Sequence, residues 1–420
     1  MRRLEGVVAR RAAWSIGSQA ISSTSNFILT LSILSIANRR EFATFSFGIT
    51  TYMLVSQLAR SASALPLMIL YSDHREKEPH SEHQAAVGVA VLVGLVSAVV
   101  LLGLAALASR GREQLLILGL AIPLLLFQDA ARHLSFSRSE PKVAAFSDGL
   151  WLALQVAGSL AAWRLGWATV PVLITVWAAS GVVAGLVAGA RLGVAPLLSG
   201  SMGWLRTHRA LSGKLMFEFV VNSGSFYLLL YGLAFLAGIE ELGRLRAAQT
   251  LIGPVIVVLL AGNALGIPET VRIRRDRKRL RRLCLILSAG LAAAAVAWGL
   301  ALYAVLPVIG PELFASSWET ARPLIPMLSV FAAAVGVSTG AASGLRALGG
   351  NAWILGGRAL SGGLALLIGL PLCRQIGAEG ALIALAGTES LFAIAAWARL
   401  ALPPDGEPDG DRVLEPFLPV

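Results

Sequence analysis

Apolar residues run along this chain in long, nearly continuous stretches rather than in alternation with polar ones. The stretches fall at roughly 14–37, 43–71, 85–108, 115–134, 143–163, 169–192, 215–238, 243–267, 283–306, 322–345, 353–371 and 380–400. A helix needs ~20 mostly apolar residues to cross a hydrocarbon core about 30 Å thick, and these stretches meet that length. A membrane β-barrel would instead alternate in pieces of ~10 residues. The pattern therefore predicts about twelve transmembrane helices. Pro66, Pro123, Pro254 and Pro326 fall inside the stretches and predict kinks, which bundled membrane helices tolerate.

Composition sharpens this picture. Hydrophobic residues make up 56% of the chain and charged residues 14%, against about 25% charged in a soluble domain. That is too few to cover a water-facing surface, and no polar segment is long enough to form a soluble domain. The net charge of +11 would suit a nucleic-acid binder, but the cations sort by membrane side. Of the 35 Lys and Arg, 24 lie in the termini and even-numbered connections and nine in the odd-numbered ones. Cytoplasmic loops carry such an excess. The segment TVRIRRDRKRLRR (270–282) is thereby placed in the cytoplasm, as are both termini. The same loop suits anionic lipid headgroups, which attract juxtamembrane Lys and Arg by about 1 kcal/mol each. Residues after MRRLEGVVARR are interrupted by Ser15, Ser18, Gln19 and Asn26, so they read as a retained first helix rather than a signal peptide.

The expected architecture is an all-α integral membrane protein in two six-helix lobes, 1–200 and 201–400. A Pro- and Gly-rich acidic tail at 401–420 is expected to be disordered and cytoplasmic. Asn26, Glu41 and Pro66 are echoed by Ser225, Glu241 and Pro268, as parallel repeats would require.

Polar residues inside the spans carry the candidate chemistry. Ser15, Gln19, Ser22 and Asn26 follow helical spacing on one face of the first span, and such a face must look toward protein or water. Gln57 and Arg60 do the same in the second. An arginine near mid-span is costly and is either paired with a carboxylate or set in a cavity; a guanidinium in a cavity binds phosphate bidentately. The intramembrane carboxylates are Asp129, Asp148, Glu218 and Glu389, and of these Glu389, Glu218 and Asp148 are candidates for ion coupling. Asp129 and Arg132 are three apart and suited to pairing on one helix face. Cys284 and Cys373 read as packing residues. His74, His80 and His83 read as solvated loop residues without zinc-site spacing. Glycine-rich stretches around Gly349 and Gly362 read as close helix packing. No phosphate-binding loop, nucleophile elbow, metal site or cofactor motif is present in the sequence.

Three stretches carry a family resemblance. LLLFQDAARHLSFSRSEPKVAAFSDGLW (124–151) resembles the fourth-to-fifth helix hairpin of bacterial polysaccharide flippases of the Wzx type. LGRLRAAQTLIGPVIVVLLAGNALGIPE (242–269) is similar to their eighth helix, and SQAISSTSNFILT (18–30) to their first. These flippases share a superfamily with multidrug exporters of the MATE class and the lipid II flippase. The resemblance implies a MATE-like bundle in the bacterial plasma membrane working by alternating access. Its cargo would be a glycan on a polyprenyl pyrophosphate, moved from the inner to the outer leaflet, with glycosyltransferases and a polysaccharide polymerase as partners. It further implies a cavity lined by cationic side chains that meet the pyrophosphate. Arg60 fits that role by position, followed by Arg246 and Arg358, with Gln19, Asn26, Gln57, Asn222 and Gln249 facing sugar or water.

A cation antiporter of the same fold would want acidic residues in its N-terminal lobe; Arg60 opposes this and Asp148 favours it. A membrane polymerase or ligase would want a large outward loop with catalytic residues, whereas the longest outward connection (306–321) offers only Glu312 and Glu319. The topology is checked by cysteine labelling in a background lacking Cys284 and Cys373. Lys278→Cys should react only after the membrane is permeabilised, and Glu319→Cys from outside. The reverse pattern would invert the orientation.

Overall fold

The computed structural model describes residues 2–71, 80–108, 111–138, 140–313 and 317–402. His74 and the acidic tail beyond residue 402 lie outside them. Every regular element among the described residues is helical, and twelve helices are long and apolar enough to cross a membrane. In chain order they are α1 (Arg2–Ile36), α2 (Arg39–Tyr71), α3 (His80–Leu107), α4 (Arg112–Ser137), α5 (Pro141–Arg164), α6 (Val170–Leu192) and α7 (Arg209–Leu236). Then come α8 (Ile239–Arg272), α9 (Arg277–Leu313), α10 (Glu319–Ala347), α11 (Asn351–Ile376) and α12 (Ala378–Ala401). The chain is thus an all-α, multi-pass membrane protein, as the apolar pattern predicts.

Helix ends depart from the apolar stretches where polar residues prolong a helix into water. Helices α8 and α9 run 34 and 37 residues, so the basic segment 270–282 is helical at both ends and broken by a turn over 273–276. That aspartate starts α9, its carboxylate accepting the Arg279 amide at 3.0 Å, the usual N-cap geometry. Helix α2 starts with a capping box: the Asn38 side chain accepts the amides of Arg40 and Glu41 at 3.1 and 3.0 Å, and Glu41 accepts the Asn38 amide at 3.0 Å. A short helix, Leu198–Thr207, joins α6 to α7.

By internal contacts the chain forms two units. The first holds Met1–Val220, Gly238–Thr250 and Gly310–Trp318; the second holds Val221–Ala237, Leu251–Ile309 and Glu319–Val420. In the first, α4 packs against α3, α6 and α2, while α5 packs against α6 and α1. In the second, α12 packs against both α10 and α11, and α11 also packs against the second half of α7.

One glycine row in each unit sets how closely helices approach. On α6, Gly181, Gly185 and Gly189 recur every four residues and meet Leu125, Gln128 and Phe127 of α4; a Cβ at Gly185 would lie 2.7 Å from the Gln128 Cβ. On α10, Gly336, Gly340 and Gly344 meet α9, and a Cβ at Gly340 would collide with the Cys284 carbonyl oxygen. Membrane helices have no hydrophobic drive to associate with one another, so small residues that admit close backbone contact supply the packing. Cys284 and Cys373 are both buried and free, in keeping with packing roles. Gly362 also lies in a close contact, against Ser225, whereas Gly349 is a left-handed turn residue with φ 82° and no close neighbour. His80 and His83 sit in the first turn of α3 rather than in a loop. His83 is buried, with Nδ1 2.8 Å from Arg138 and its ring edge-on to Tyr71.

Because two of the three atoms nearest Gly340, the Cys284 carbonyl oxygen and the Ser288 amide nitrogen, are backbone and cannot turn away, Gly340→Val should cost about 1–3 kcal/mol, the usual range for overpacking. The check is a lower unfolding midpoint in detergent. Gly349→Asn, at a left-handed position that Asn tolerates, should change the midpoint much less.

Candidate functional site

Polar side chains gather in two clusters in the first unit and one in the second. Arg60 anchors the first cluster. It begins a π-turn, Arg60–Ala64, whose widened loop closes with the Leu65 amide donating to the Arg60 carbonyl. Such single-turn π-bulges recur at functional sites. Here the hydroxyls of Ser61 and Ser63 donate to the carbonyls of Gln57 and Ala59 at 2.9 and 2.8 Å.

The Arg60 guanidinium forks onto Asp129 of α4, Nε and Nη2 each donating to one carboxylate oxygen at 2.7 Å. Its Nη1 donates to Gln57 Oε1 at 2.7 Å. This is the bidentate geometry that makes an arginine–carboxylate pair strong. The arginine side chain remains 29% exposed while Asp129 is 7% exposed, so Arg60 keeps an open flank.

The same face of α2 continues upward. Thr50, Met53, Gln57 and Arg60 are spaced by three, four and three residues, which aligns them over about 15 Å of helix. At the far end Arg246 of α8 donates from Nε to Thr50 Oγ1 at 2.9 Å and from Nη1 to Gln249 Oε1 at 3.2 Å, with Met53 Sδ at 3.5 Å from Nη2. Four of the residues singled out in the sequence (Gln57, Arg60, Arg246 and Gln249) thus lie along one line.

The second cluster surrounds Arg132. The spacing of Asp129 and Arg132 suggested that they pair with each other, and the structure corrects this. Asp129 takes Arg60, while Arg132 Nε lies 2.9 Å from Asp148 Oδ2 on α5. Arg132 also donates to Ser18 Oγ at 3.2 Å and Gln19 Oε1 at 3.0 Å. Ser18 donates to Asp148 at 2.5 Å, and Gln128 donates to the other oxygen of Asp148 at 3.3 Å. Here Arg132 is 5% and Asp148 1% exposed, so the cluster is closed where the Arg60 cluster is open. It also shows which face of α1 is buried. Ser18 and Ser25, seven residues apart, point inward, and Ser25 is hydrogen-bonded to Gln155. Gln19 is exposed and Asn26 half-buried.

The third cluster lies in the second unit. Arg358 of α11 bonds Glu389 of α12, Nη1 to Oε2, at 2.5 Å, and Ser338 of α10 donates to Oε1 at 2.5 Å. The guanidinium sits 4.2 Å over the Phe392 ring, a cation–π contact. It opens on a pocket of about 260 Å³ lined by polar Asn222, Ser225, Ser361 and Thr388 and by aromatic Tyr227 and Phe331. Asn222 lies in a second π-turn, Val220–Gly224. Glu218 belongs to none of the three clusters and stands exposed on α7.

Sequence reading gave Arg132 the wrong partner, saw Ser18 only as a polar residue of the first span, and missed Ser338 and Phe392. Their signal was available only in part: Arg132 is an intramembrane cation, but its partner depends on helix rotation. Among the described residues no group of His, Cys, Asp and Glu could hold a metal ion.

No protein-family model matches this chain, and no curated protein matches it by sequence. Solved structures do resemble it. The lipid II flippase MurJ in an inward closed conformation aligns over 94% of this chain and 88% of its own, with a TM-score of 0.70 and 10% identity. An inward-facing multidrug resistance MATE family transporter of the MOP superfamily aligns over 92% of this chain and 98% of its own, with a TM-score of 0.64 and 14% identity. A MOP superfamily transporter from Pyrococcus furiosus, described as having a binding pocket of reversed polarity, aligns over 94% of each chain with a TM-score of 0.58 and 13% identity. At these identities the likeness is one of fold: the chain shares the fold of MurJ and of MATE transporters.

Proposed function

We propose that this protein is a transporter of the Wzx type, without enzymatic activity, that flips a polyprenyl-pyrophosphate-linked oligosaccharide from the inner to the outer leaflet of a bacterial plasma membrane. The observation that carries the reading is Arg60, a part-exposed guanidinium on a π-turn in an intramembrane helix, continued along the same face by Gln57 and Arg246. Each phosphate of a pyrophosphate presents a pair of oxygens that the two parallel N–H donors of an arginine fork match. In the resting protein Asp129 occupies that fork and so lowers the cost of holding the cation in hydrocarbon. Cargo phosphate then competes with Asp129 for the same donors, so loading and release are an exchange of anions on one cation. The fold shared with a lipid II flippase supports a lipid-linked cargo, and glycosyltransferases and a polysaccharide polymerase are the partners such a cargo requires. In the second unit, Asn222, Arg358 and the aromatic residues of the 260 Å³ pocket suit sugar hydroxyls and ring faces. Export of a cation coupled through Asp148 or Glu389 is the second reading. Both carboxylates are buried, as a coupling site requires, and each is already bound to an arginine.

Flipping of a fluorescent polyprenyl-pyrophosphate oligosaccharide in proteoliposomes tests the proposal. Arg60→Ala combined with Asp129→Asn, which leaves no buried carboxylate without its cation, should slow transport about tenfold or more, the usual worth of a charged hydrogen bond, with little change in unfolding midpoint. An unchanged rate would remove Arg60 from the site, and export of a cationic dye without any lipid movement would favour the antiporter. Arg132→Ala should behave differently. It leaves Asp148 buried without its cation, at a cost of about 3–5 kcal/mol, and should show first as a lower unfolding midpoint.

A further inference from the structure

A second pocket, of about 340 Å³, lies in the second unit between the first turns of α9 and the last turn of α12. It is lined by Arg281, Arg282 and Leu285 from α9 and by Trp397, Leu400 and Ala401 from α12. It shares no residue with the Arg358 pocket. We propose that this groove binds an anionic phospholipid of the surrounding bilayer, the phosphate held by the Arg281–Arg282 pair and one acyl chain laid along Leu285 and Trp397.

Three observations fix the occupant. The first is the division of the groove into a cationic mouth and an apolar floor. Eight of the eleven residues from 272 to 282 are Lys or Arg, and the groove takes its two guanidiniums from the end of that run where α9 becomes apolar. A chain with a negative head and a hydrocarbon body matches this division, whereas a free anion would leave the floor uncovered. The second is position. Leu285 and Ile286, next along α9, are each 58% exposed, which in a membrane helix means facing lipid. The groove therefore opens at the boundary where headgroups lie, and a basic pocket between helices at that depth suits anionic headgroups.

The third is rigidity. Arg281 donates to the terminal carbonyls of α12, 3.3 Å to Leu400 and 2.7 Å to Ala401, which ties the two helix ends together. The Trp397 indole nitrogen donates to the Val337 carbonyl at 3.3 Å, fixing the ring that forms the floor. Beneath it Leu280, Cys284, Ala396 and Leu400 form a buried core. A pre-formed site spares the bound chain the cost of ordering protein around it. Arg282, whose side chain ties no helix ends together, is then the residue that meets the phosphate and whose loss leaves the fold intact.

The competing occupant is the chain's own terminus. Residues 403–420 follow directly and include five carboxylates. They are interspersed with prolines and would have to carry charge onto the apolar floor, so the lipid is the better match.

The test uses the full-length protein in detergent, titrated with short-chain phosphatidylglycerol, short-chain phosphatidylcholine or inorganic pyrophosphate while the unfolding midpoint is followed. Phosphatidylglycerol should raise the midpoint saturably, at least tenfold more phosphatidylcholine should be needed for the same rise, and any rise with pyrophosphate should be the same in Arg282→Gln as in the unaltered protein. Arg282→Gln and Leu285→Trp, the latter filling the groove, should each abolish the difference between the two lipids. Arg279→Gln, exposed and one turn away, should leave it intact. An equal response to both lipids would overturn the site, as would equal loss with Arg279→Gln, which would reveal only diffuse charge. Pyrophosphate acting as well as the lipid, and losing that effect with Arg282→Gln, would overturn the lipid as occupant. A lipid response that emerges only after deletion of 403–420 would assign the groove to the tail instead.

Discussion

Placing a guanidinium inside an apolar helix bundle is the constraint around which this structure is arranged. An arginine at mid-span cannot shed its charge, and an isolated charge in hydrocarbon costs several kcal/mol. The described parts of the chain meet that constraint by pairing: Arg60 with Asp129, Arg132 with Asp148 and Arg358 with Glu389. Each pair bridges two different helices, so the electrostatic requirement also fixes which helices are neighbours. In the first unit the bridges run from α2 to α4 and from α4 to α5, with α1 drawn in through Ser18 and Gln19. In the second they run from α11 to α12, with α10 drawn in through Ser338.

The pairs differ in what they leave available. Arg132 and Asp148 are closed on all sides by hydrogen-bonding partners and act as a structural rivet. Arg60 and Arg358 each keep about a quarter of their side chain exposed, at 29% and 26%, and each lies near a π-turn or a pocket. The same chemistry thus supplies both scaffold and candidate site, and accessibility rather than residue type separates them.

Much of the fold was legible in the sequence because length and apolarity suffice to mark a membrane crossing. The stretches at 169–192 and 380–400, for instance, coincide with α6 and α12 to within a few residues. Partner choice was not legible. Asp129 and Arg132 stand three apart on α4 and look like a pair by spacing alone. Whether they bond each other or reach to α2 and α5 depends on how α4 is rotated against its neighbours. That rotation is set by contacts such as Gly185 against Gln128, which no local pattern reveals. His83 was misread for a related reason: a charged connection hid the start of α3, and the ring turned inward between Tyr71 and Arg138. The placement of Arg246 beside Thr50 likewise required the tertiary structure, although the polar face on which it docks could have been drawn on a helical wheel.

The π-turn at Arg60 carries a mechanical consequence. A π-turn holds one residue more than the helix around it requires, and it gives up only regular hydrogen-bond geometry to do so. Were that residue drawn out, everything beyond it on α2, from Leu65 to Tyr71, would turn by about 100° and shift by about 1.5 Å along the axis. Side chains on that segment would exchange one set of neighbours for another, while Gln57 and the turns before it stayed in register. Helix α2 therefore contains a ratchet of one tooth, placed beside the Arg60–Asp129 pair.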